Sequence, residues 1–351
     1  MLNRPVVELL ETYLEAARKY PFSWAGIVMV GHPNVAACDF GGEVGLEEHG
    51  MDALKILGAR LRDSIDNWQL PEQNPELDQS YAVYNLAMDS LGFEFINWLV
   101  YSEMARRRAG APAPLKVGFY KGKNDELVYN LGVRHVWLSN VFRPALKFIG
   151  AVEDDRAIAG FRNRGSCVRR ICEGFKSGEQ VPVFKPANPL KDSGYITITL
   201  RELEYYNYRN SVVDVWLQVA TTLQAQGERI VFIRDTAKPW EPLDGFQICP
   251  KASLDLDTRM AMYGGAKLNF FSPNGPWQLA LFSERPWIQM IDVKAGQNAM
   301  DATCNPDFWT KELGIEMGDQ FPWQRRDQRI VWKPETYDNI MSAYRELKLA
   351  A

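Results

Sequence analysis

Apolar residues along the chain recur with two periods, and the alternation between them outlines the fold. Between positions 195 and 291, short apolar runs of strand length alternate with helical patterns. YITITL (195–200), RIVFI (229–233), KLNFF (267–271) and PWIQMI (286–291) have the length and composition of buried strands. Between them, residues 212–224 carry a helical pattern ended by Gly227, and Leu256, Met260 and Tyr263 recur at helical spacing up to Gly264-Gly265. Residues 277–282 restart a helix after the turn-forming Ser272-Pro273-Asn274-Gly275-Pro276. The first half repeats the theme: a strand at 81–88, a helix at 93–108 and a strand at 115–120 make a β-loop-α-β unit. Upstream, helices are expected at 6–18 and 51–68, a strand at 25–30, and a Gly-rich, carboxylate-rich connector at 38–50. Helical patterning also runs through 142–149, and residues 237–252 are expected to form a loop that lines a cleft or covers a sheet edge.

This alternation predicts an α/β protein of two Rossmann-like domains with a cleft between them. The Pro-containing stretch 181–193 (VPVFKPANPLKDS) reads as their linker. The resulting division is 1–180, 181–193, 194–335, and a final helix, 336–351, expected to pack back towards the first domain.

Composition narrows the function without choosing it. At 351 residues, 46% hydrophobic and 24% charged, the chain can bury a sizeable core, and its net charge of −4 argues against a general nucleic-acid partner. Five widely scattered cysteines (Cys38, Cys167, Cys172, Cys249, Cys304) make neither a CxxC pair nor a metal-ligand spacing, as expected of free thiols in a reducing cytoplasm. No apolar run reaches the ~20 residues that span a bilayer. Five arginines between 156 and 170 read as a charged helix face.

The candidate chemistry gathers where strands end. Three runs end in turn on Arg201, on Arg234-Asp235 and on Ser272…Asn274-Gly275, and side chains at the carboxyl ends of successive parallel strands converge in space. A loop that leads from strand to helix also directs backbone N–H groups above the sheet, a ready site for phosphate. In the first half, Asp89 stands where strand 81–88 ends. It suits an N-cap and, equally, a general base facing a cleft.

With these residues, positions 195–290 and a tail from Gly318-Asp319-Gln320-Phe321-Pro322-Trp323 to Trp332 resemble the C-terminal nucleotide-sugar domain of GT-B glycosyltransferases. The likeness is to the fucosyltransferase-like group and uncharacterised bacterial relatives, and more distantly to heptosyltransferases. It implies that Arg201, in TLRE, contacts the donor diphosphate. The histidine usual before that arginine is absent, and Thr199 stands two residues ahead of it. The turn at Ser272, Asn274 and Gly275 is similar to the one that cradles the phosphates, and Asp235 to the acidic residue near base or ribose. Arg209 and Arg234 complete the expected donor-binding set. The resemblance implies metal-independent, inverting sugar transfer with no cofactor beyond a nucleotide-sugar donor. The base would be Asp89, with Asp39 and Glu43 in reserve, and the acceptor a glycan, lipid-linked or protein hydroxyl. The place of action would be the cytoplasm or the inner membrane face. A nucleotide- or nucleotide-sugar-binding protein without chemistry, or an epimerase or hydrolase on the same fold, are the competing readings.

Overall fold

The computed structural model describes residues 80–86, 89–120, 131–155, 167–190, 194–203, 209–292 and 306–350. The elements expected at 6–18, 25–30, 38–50 and 51–68, with Asp39 and Glu43, lie outside the described residues, as do 156–166 of the arginine-rich stretch.

The first unit is a parallel sheet of β1 (Tyr81–Asn85), β2 (Lys116–Tyr120) and β3 (Val152–Glu153), in that order. Helix α1 (Glu94–Arg108) connects β1 to β2 and buries Phe95, Ile96, Trp98, Leu99, Val100 and Met104. So broad an apolar face means that α1 is covered on more than one side. Tyr84, Phe95, Trp98 and Phe142 pack edge-to-face, tilted or stacked at centroid distances of 4.4–5.4 Å. Phe142 closes a π-helical turn, Leu138–Phe142, between α2 (Leu131–Trp137) and α3 (Arg143–Leu146). The arginines that end α1 are paired: Arg106 and Arg107 bind Glu103, and Arg108 binds Glu179. Helix α4 (Cys167–Lys176) packs against α1.

From α4 the chain runs without regular structure through 179–190 and is stitched to both units. Phe184 N–H donates to the Phe282 carbonyl at 2.7 Å and Lys185 N–H to that of Phe148 at 3.0 Å.

The second unit is a six-stranded sheet, parallel throughout, built from β4 (Tyr195–Thr199), β5 (Arg229–Ile233), β6 (Gln247–Ile248), β7 (Leu268–Phe271), β8 (Trp287–Met290) and β9 (Gln328–Val331), in the order β6-β5-β4-β7-β8-β9. Side chains alternate between its faces. Ile196, Ile198, Ile230, Phe232, Leu268, Phe270, Ile288 and Met290 form one face, against Trp216, Val219, Ala220 and Leu223 of α5 (Val213–Ala225). On the other face Phe271, Ile233 and Trp287 join Met260 and Tyr263 and merge with the core of the first unit, so a single apolar cluster spans both. Two pairs of polar side chains on that face are bonded: Thr197 Oγ1 to Asn269 Oδ1 at 2.6 Å, and Thr199 Oγ1 to the Tyr263 hydroxyl at 3.0 Å. Two parallel α/β sheets therefore meet, as the hydrophobic pattern predicts.

Three elements differ from expectation. The stretch 237–252 contains β6 and the start of a short helix, α6 (Pro250–Leu254), leading to α7 (Leu256–Gly265). Only a two-residue strand forms there, too short to leave a period. The edge strand β9 has polar and charged residues among its apolar ones and was not marked by patterning. Among the described residues, the last helix, α10 (Tyr337–Ala350, after α8 at Trp277–Leu281 and α9 at Pro306–Phe308), lies on the second unit's own sheet rather than against the first unit. Its Ile340, Met341, Ala343, Tyr344 and Leu347 fill the face that α5 leaves uncovered. Among the described residues no helix is long and apolar enough to cross a membrane.

Helix α5 has no cap from its own first residues, and Glu335 supplies one from the approach to α10. Its carboxylate accepts from Val212 N–H and from the indole Nε1–H of Trp216, both at 2.9 Å. Desolvation by burial raises the Glu335 pKa above the usual carboxylate range, against the opposing pull of Ser272, Val212 and Trp216. Glu335→Ala leaves the buried Trp216 N–H without an acceptor and should lower unfolding free energy by about 1–3 kcal/mol, read by urea denaturation. The pH dependence has a fixed sign. With its folded pKa raised, the native state takes up the Glu335 proton before the unfolded chain does, so this group's contribution to stability grows as pH falls through the folded value. Glu335→Gln should remove that slope, visible as a pH-dependent difference between the two unfolding curves.

Candidate functional site

A cleft of about 910 Å³ opens between the two units, at the carboxyl ends of β4, β5, β7 and β8. The first unit contributes the loop Ser90–Phe93, Glu94 and Asn97 of α1, and Trp137. The second contributes Arg201, Arg209, Arg234, Asp235, Arg259, the turn 273–277, Gln278 and Gln289. Phe308, Trp309 and Phe321 close a third side.

The cationic end is built by the loop after β4. Arg201 N–H donates to Ser211 Oγ at 2.8 Å, and Ser211 N–H returns to the Arg201 carbonyl at 2.9 Å. Asn210 makes a second rung, bonding Leu203 N–H at 3.1 Å and the Leu203 carbonyl at 2.7 Å. The loop is thereby pinched at its base, which brings Arg209 back beside the strand end that carries Arg201. Arg201 is 7% exposed. Arg209 reaches the Pro273 carbonyl through Nη2 at 3.4 Å, while its buried Nε makes no hydrogen bond among the described residues.

Several expected residues have other work. Arg234 lines the cleft, but its guanidinium grips the Glu202 carboxylate in a two-point, nearly dry ion pair and donates to the Glu241 carbonyl at 2.7 Å. That commitment removes it from the set of phosphate ligands. Ser272 is fully buried beneath the cleft, 2.5 Å from Ser211 Oγ, and does not line it. Asp89 is 5% exposed and accepts the Asn85 N–H at 3.0 Å, which closes the turn after β1. It too is absent from the cleft wall, so the base expected there is a turn-former. Among the described residues of the first unit, Glu94, at the first turn of α1, is the carboxylate that lines the cleft, with Ser90 Oγ donating to it at 3.2 Å. Asp235 does line the cleft and holds its own turn, accepting Thr236 N–H at 2.7 Å and Glu202 N–H at 3.2 Å.

The turn 273–276 is shaped differently from a phosphate cradle. Asn274 Oδ1 takes the Trp277 N–H at 3.1 Å, and the next two N–H groups donate to Gly275 and Pro276 carbonyls at 3.0 and 3.1 Å. These three donors of α8 are thus satisfied within the loop, and anion recognition falls to the arginines. Gly275 has a separate role: a Cβ there would sit 2.6 Å from Phe93 Cδ2, so the bare glycine lets the ring of the first unit rest on the second.

Asp255-Leu256-Asp257 has the Asp-x-Asp spacing of carboxylate metal sites, but its parts are structural. Asp255 Oδ1 caps α7 through Thr258 N–H at 2.8 Å, and Asp257 faces Lys147 at 3.4 Å. Among the described residues no three His, Cys, Asp or Glu side chains gather as a metal site.

Residues that sequence patterning passed over complete the wall. Arg259, on α7, ties the carbonyls of Ala252 and Ser253 at 2.6 and 3.0 Å. Asn97 and Gln289 are polar residues inside apolar runs, FINWLV and WIQMI, and that interruption is the signal that marks them. Each, with Gln278 and Trp277, carries a buried polar atom that makes no hydrogen bond among the described residues. Buried polar atoms are almost always bonded, so five such residues around one cleft, counting Arg209, mark a surface built to receive a polar ligand.

No protein-family model matches the chain, and no curated protein matches it in sequence. Among solved structures it is similar to the E. coli heptosyltransferase WaaC with ADP, at 13% identity over 77% of this chain and 98% of that one, with a TM-score of 0.42. It is also similar to the dodecameric iron-containing heptosyltransferase TibC in complex with ADP-D-β-D-heptose, at 13% identity over 81% of each chain and a TM-score of 0.44. The Methanocaldococcus jannaschii UDP-GlcNAc 2-epimerase in complex with UDP-GlcNAc and UDP is similar at 12% identity and a TM-score of 0.29, over 88% of this chain and 80% of that one. At these scores the likenesses carry no argument about activity, which rests on the cleft itself.

The Phe93–Gly275 contact yields a test. Gly275→Ala should cost about 1–3 kcal/mol of stability by forcing the ring aside. Phe93→Ala in the same chain should recover part of that cost, a non-additivity measurable by a double-mutant unfolding cycle.

Proposed function

We propose that this protein is a glycosyltransferase of the GT-B type that moves a sugar from a nucleotide donor to an acceptor hydroxyl. The observation that carries the reading is the cleft at the parallel strand ends, where Arg201 and Arg209 form a cationic end beside unbonded polar side chains. The likeness of the 195–290 region to nucleotide-sugar domains supports the same conclusion.

In this reading the guanidinium groups of Arg201 and Arg209 bind the donor diphosphate. Their charge is worth most as the bond from sugar to phosphate breaks and negative charge builds on the leaving oxygen. Asp235 Oδ2, which accepts one backbone N–H, has a lone pair left for a ribose hydroxyl. Glu94 faces the donor site from the other unit and acts as general base: as the acceptor oxygen forms its bond to the anomeric carbon, the hydroxyl proton passes to the carboxylate. A single displacement of this kind inverts the anomeric centre. The acceptor would be a hydroxyl-bearing glycan, lipid-linked or protein group that enters on the Glu94 side. Donor binding through arginines asks for no metal.

Calorimetry with ADP, GDP and UDP tests the binding half. For the diphosphate that binds, Arg209→Ala and Arg201→Ala should each weaken affinity about 10- to 100-fold, and EDTA should leave it unchanged. A need for Mg²⁺ or Mn²⁺, or unaltered affinity in both variants, would count against the arginine site. For the chemical half, Glu94→Gln should leave diphosphate affinity intact and depress transfer from the cognate donor, because the amide keeps the shape but takes no proton. Full turnover in that variant would remove Glu94 as the base.

A further inference from the structure

The cleft has a second chemistry besides the arginines. Around α8, Gln289 lies on β8 in register with Phe271, the residue before Ser272, and is 1% exposed. Its Nε2 donates to the Met290 carbonyl at 3.1 Å, which fixes the sense of the amide and leaves Oε1 as a buried acceptor without a hydrogen bond. Asn97, 8% exposed, stands one turn past Phe93 on α1, the helix that packs against α8, and its Oδ1 is likewise unbonded. Gln278 Oε1 on α8 itself is a third such acceptor, and the neighbouring Trp277 Nε1–H is a donor without an acceptor. All four residues line the cleft.

Three neutral oxygens and one indole N–H define what can fill this space. Each oxygen needs a donor, and a carboxylate or phosphate brings only lone pairs, so an anion here could meet the indole and amide N–H groups but would leave the three oxygens unsatisfied in a desolvated pocket. An aliphatic hydroxyl both donates and accepts. It can satisfy an amide oxygen while taking the indole proton, and several hydroxyls on one ring can do so together. Apolar groups would leave all four atoms unsatisfied.

We propose that Gln289, Gln278, Asn97 and Trp277 form a hydroxyl-reading subsite for the sugar of the donor, and that this sugar is an uncharged polyol rather than a uronic or sialic acid. The inference rests on the nucleotide-sugar reading above and specifies its substrate. Three of the four residues belong to the unit that carries Arg201 and Arg209, which places the subsite on the donor side. Asn97 approaches from the first unit, so the sugar is read from both sides of the cleft.

The test is calorimetry of the full chain with ADP, GDP and UDP, their neutral conjugates ADP-glucose, GDP-mannose and UDP-glucose, and the anionic UDP-glucuronate and GDP-mannuronate. For whichever diphosphate binds, the neutral conjugate should bind about 3- to 10-fold tighter than the diphosphate alone, and the uronate no tighter than the diphosphate. Gln289→Leu and Asn97→Leu should each erase most of the sugar's increment and hold diphosphate affinity within about twofold. If circular dichroism shows that Gln289→Leu does not fold, the partly exposed Gln278→Ala makes the same comparison. A sugar increment that persists through these variants, or a uronate that binds as tightly as its neutral counterpart, would overturn the subsite and leave the diphosphate reading standing. Failure of all three diphosphates to bind the wild-type chain would overturn both.

Discussion

The cleft depends on one contact: an aromatic ring of the first unit lying on a residue of the second that has no side chain. Phe93 sits at the start of α1 and Gly275 at the tip of the turn before α8, and no Cβ fits between them. Everything that faces the ligand space is indexed to that contact. Glu94 and Asn97 follow Phe93 on a helix whose direction is fixed by its buried apolar side chains. Asn274 and Trp277 flank Gly275 in a turn whose hydrogen bonds are satisfied internally.

The architecture was legible because its signal is dense. Strands such as RIVFI and YITIT are buried on both faces and leave runs that no helix or loop would carry. Convergence of strand ends followed from topology alone, and Arg201, Asp235, Asn274 and Gly275 do line the cleft. What was not legible depends on partners distant in sequence. Nothing in RDT shows that Arg234 is neutralised by Glu202, because that pairing exists only once β4 and β5 lie side by side. Asp89 and Glu94 are both carboxylates near the end of β1. Asp89 turns back to take the Asn85 N–H, while Glu94 faces the cleft, and neither orientation is written in the residue type. The final helix went to the second sheet because α5 alone cannot cover six strands, an argument of area that a linear pattern does not contain.

The site divides labour between charge and neutrality. Arginine forks supply long-range attraction and tolerate many anions, whereas buried amide oxygens act only at contact and reject most groups. The first sits on a loop pinched at its base by Ser211, and the second on a strand and two helices.

The second unit's outer layer has a consequence for how the chain is made. Its edge strand β9 and covering helix α10 are separated from β4 by more than a hundred residues of sequence, and the cap on α5 also comes from this late segment, through Glu335. During synthesis, the first five strands of that sheet emerge with an apolar face that only α5 shields. The unit therefore passes through a stage in which Phe270, Ile288 and Met290 lack their full cover. Until residues 328–350 arrive, that face is the part of the nascent protein most exposed to misassociation and most in need of chaperone protection.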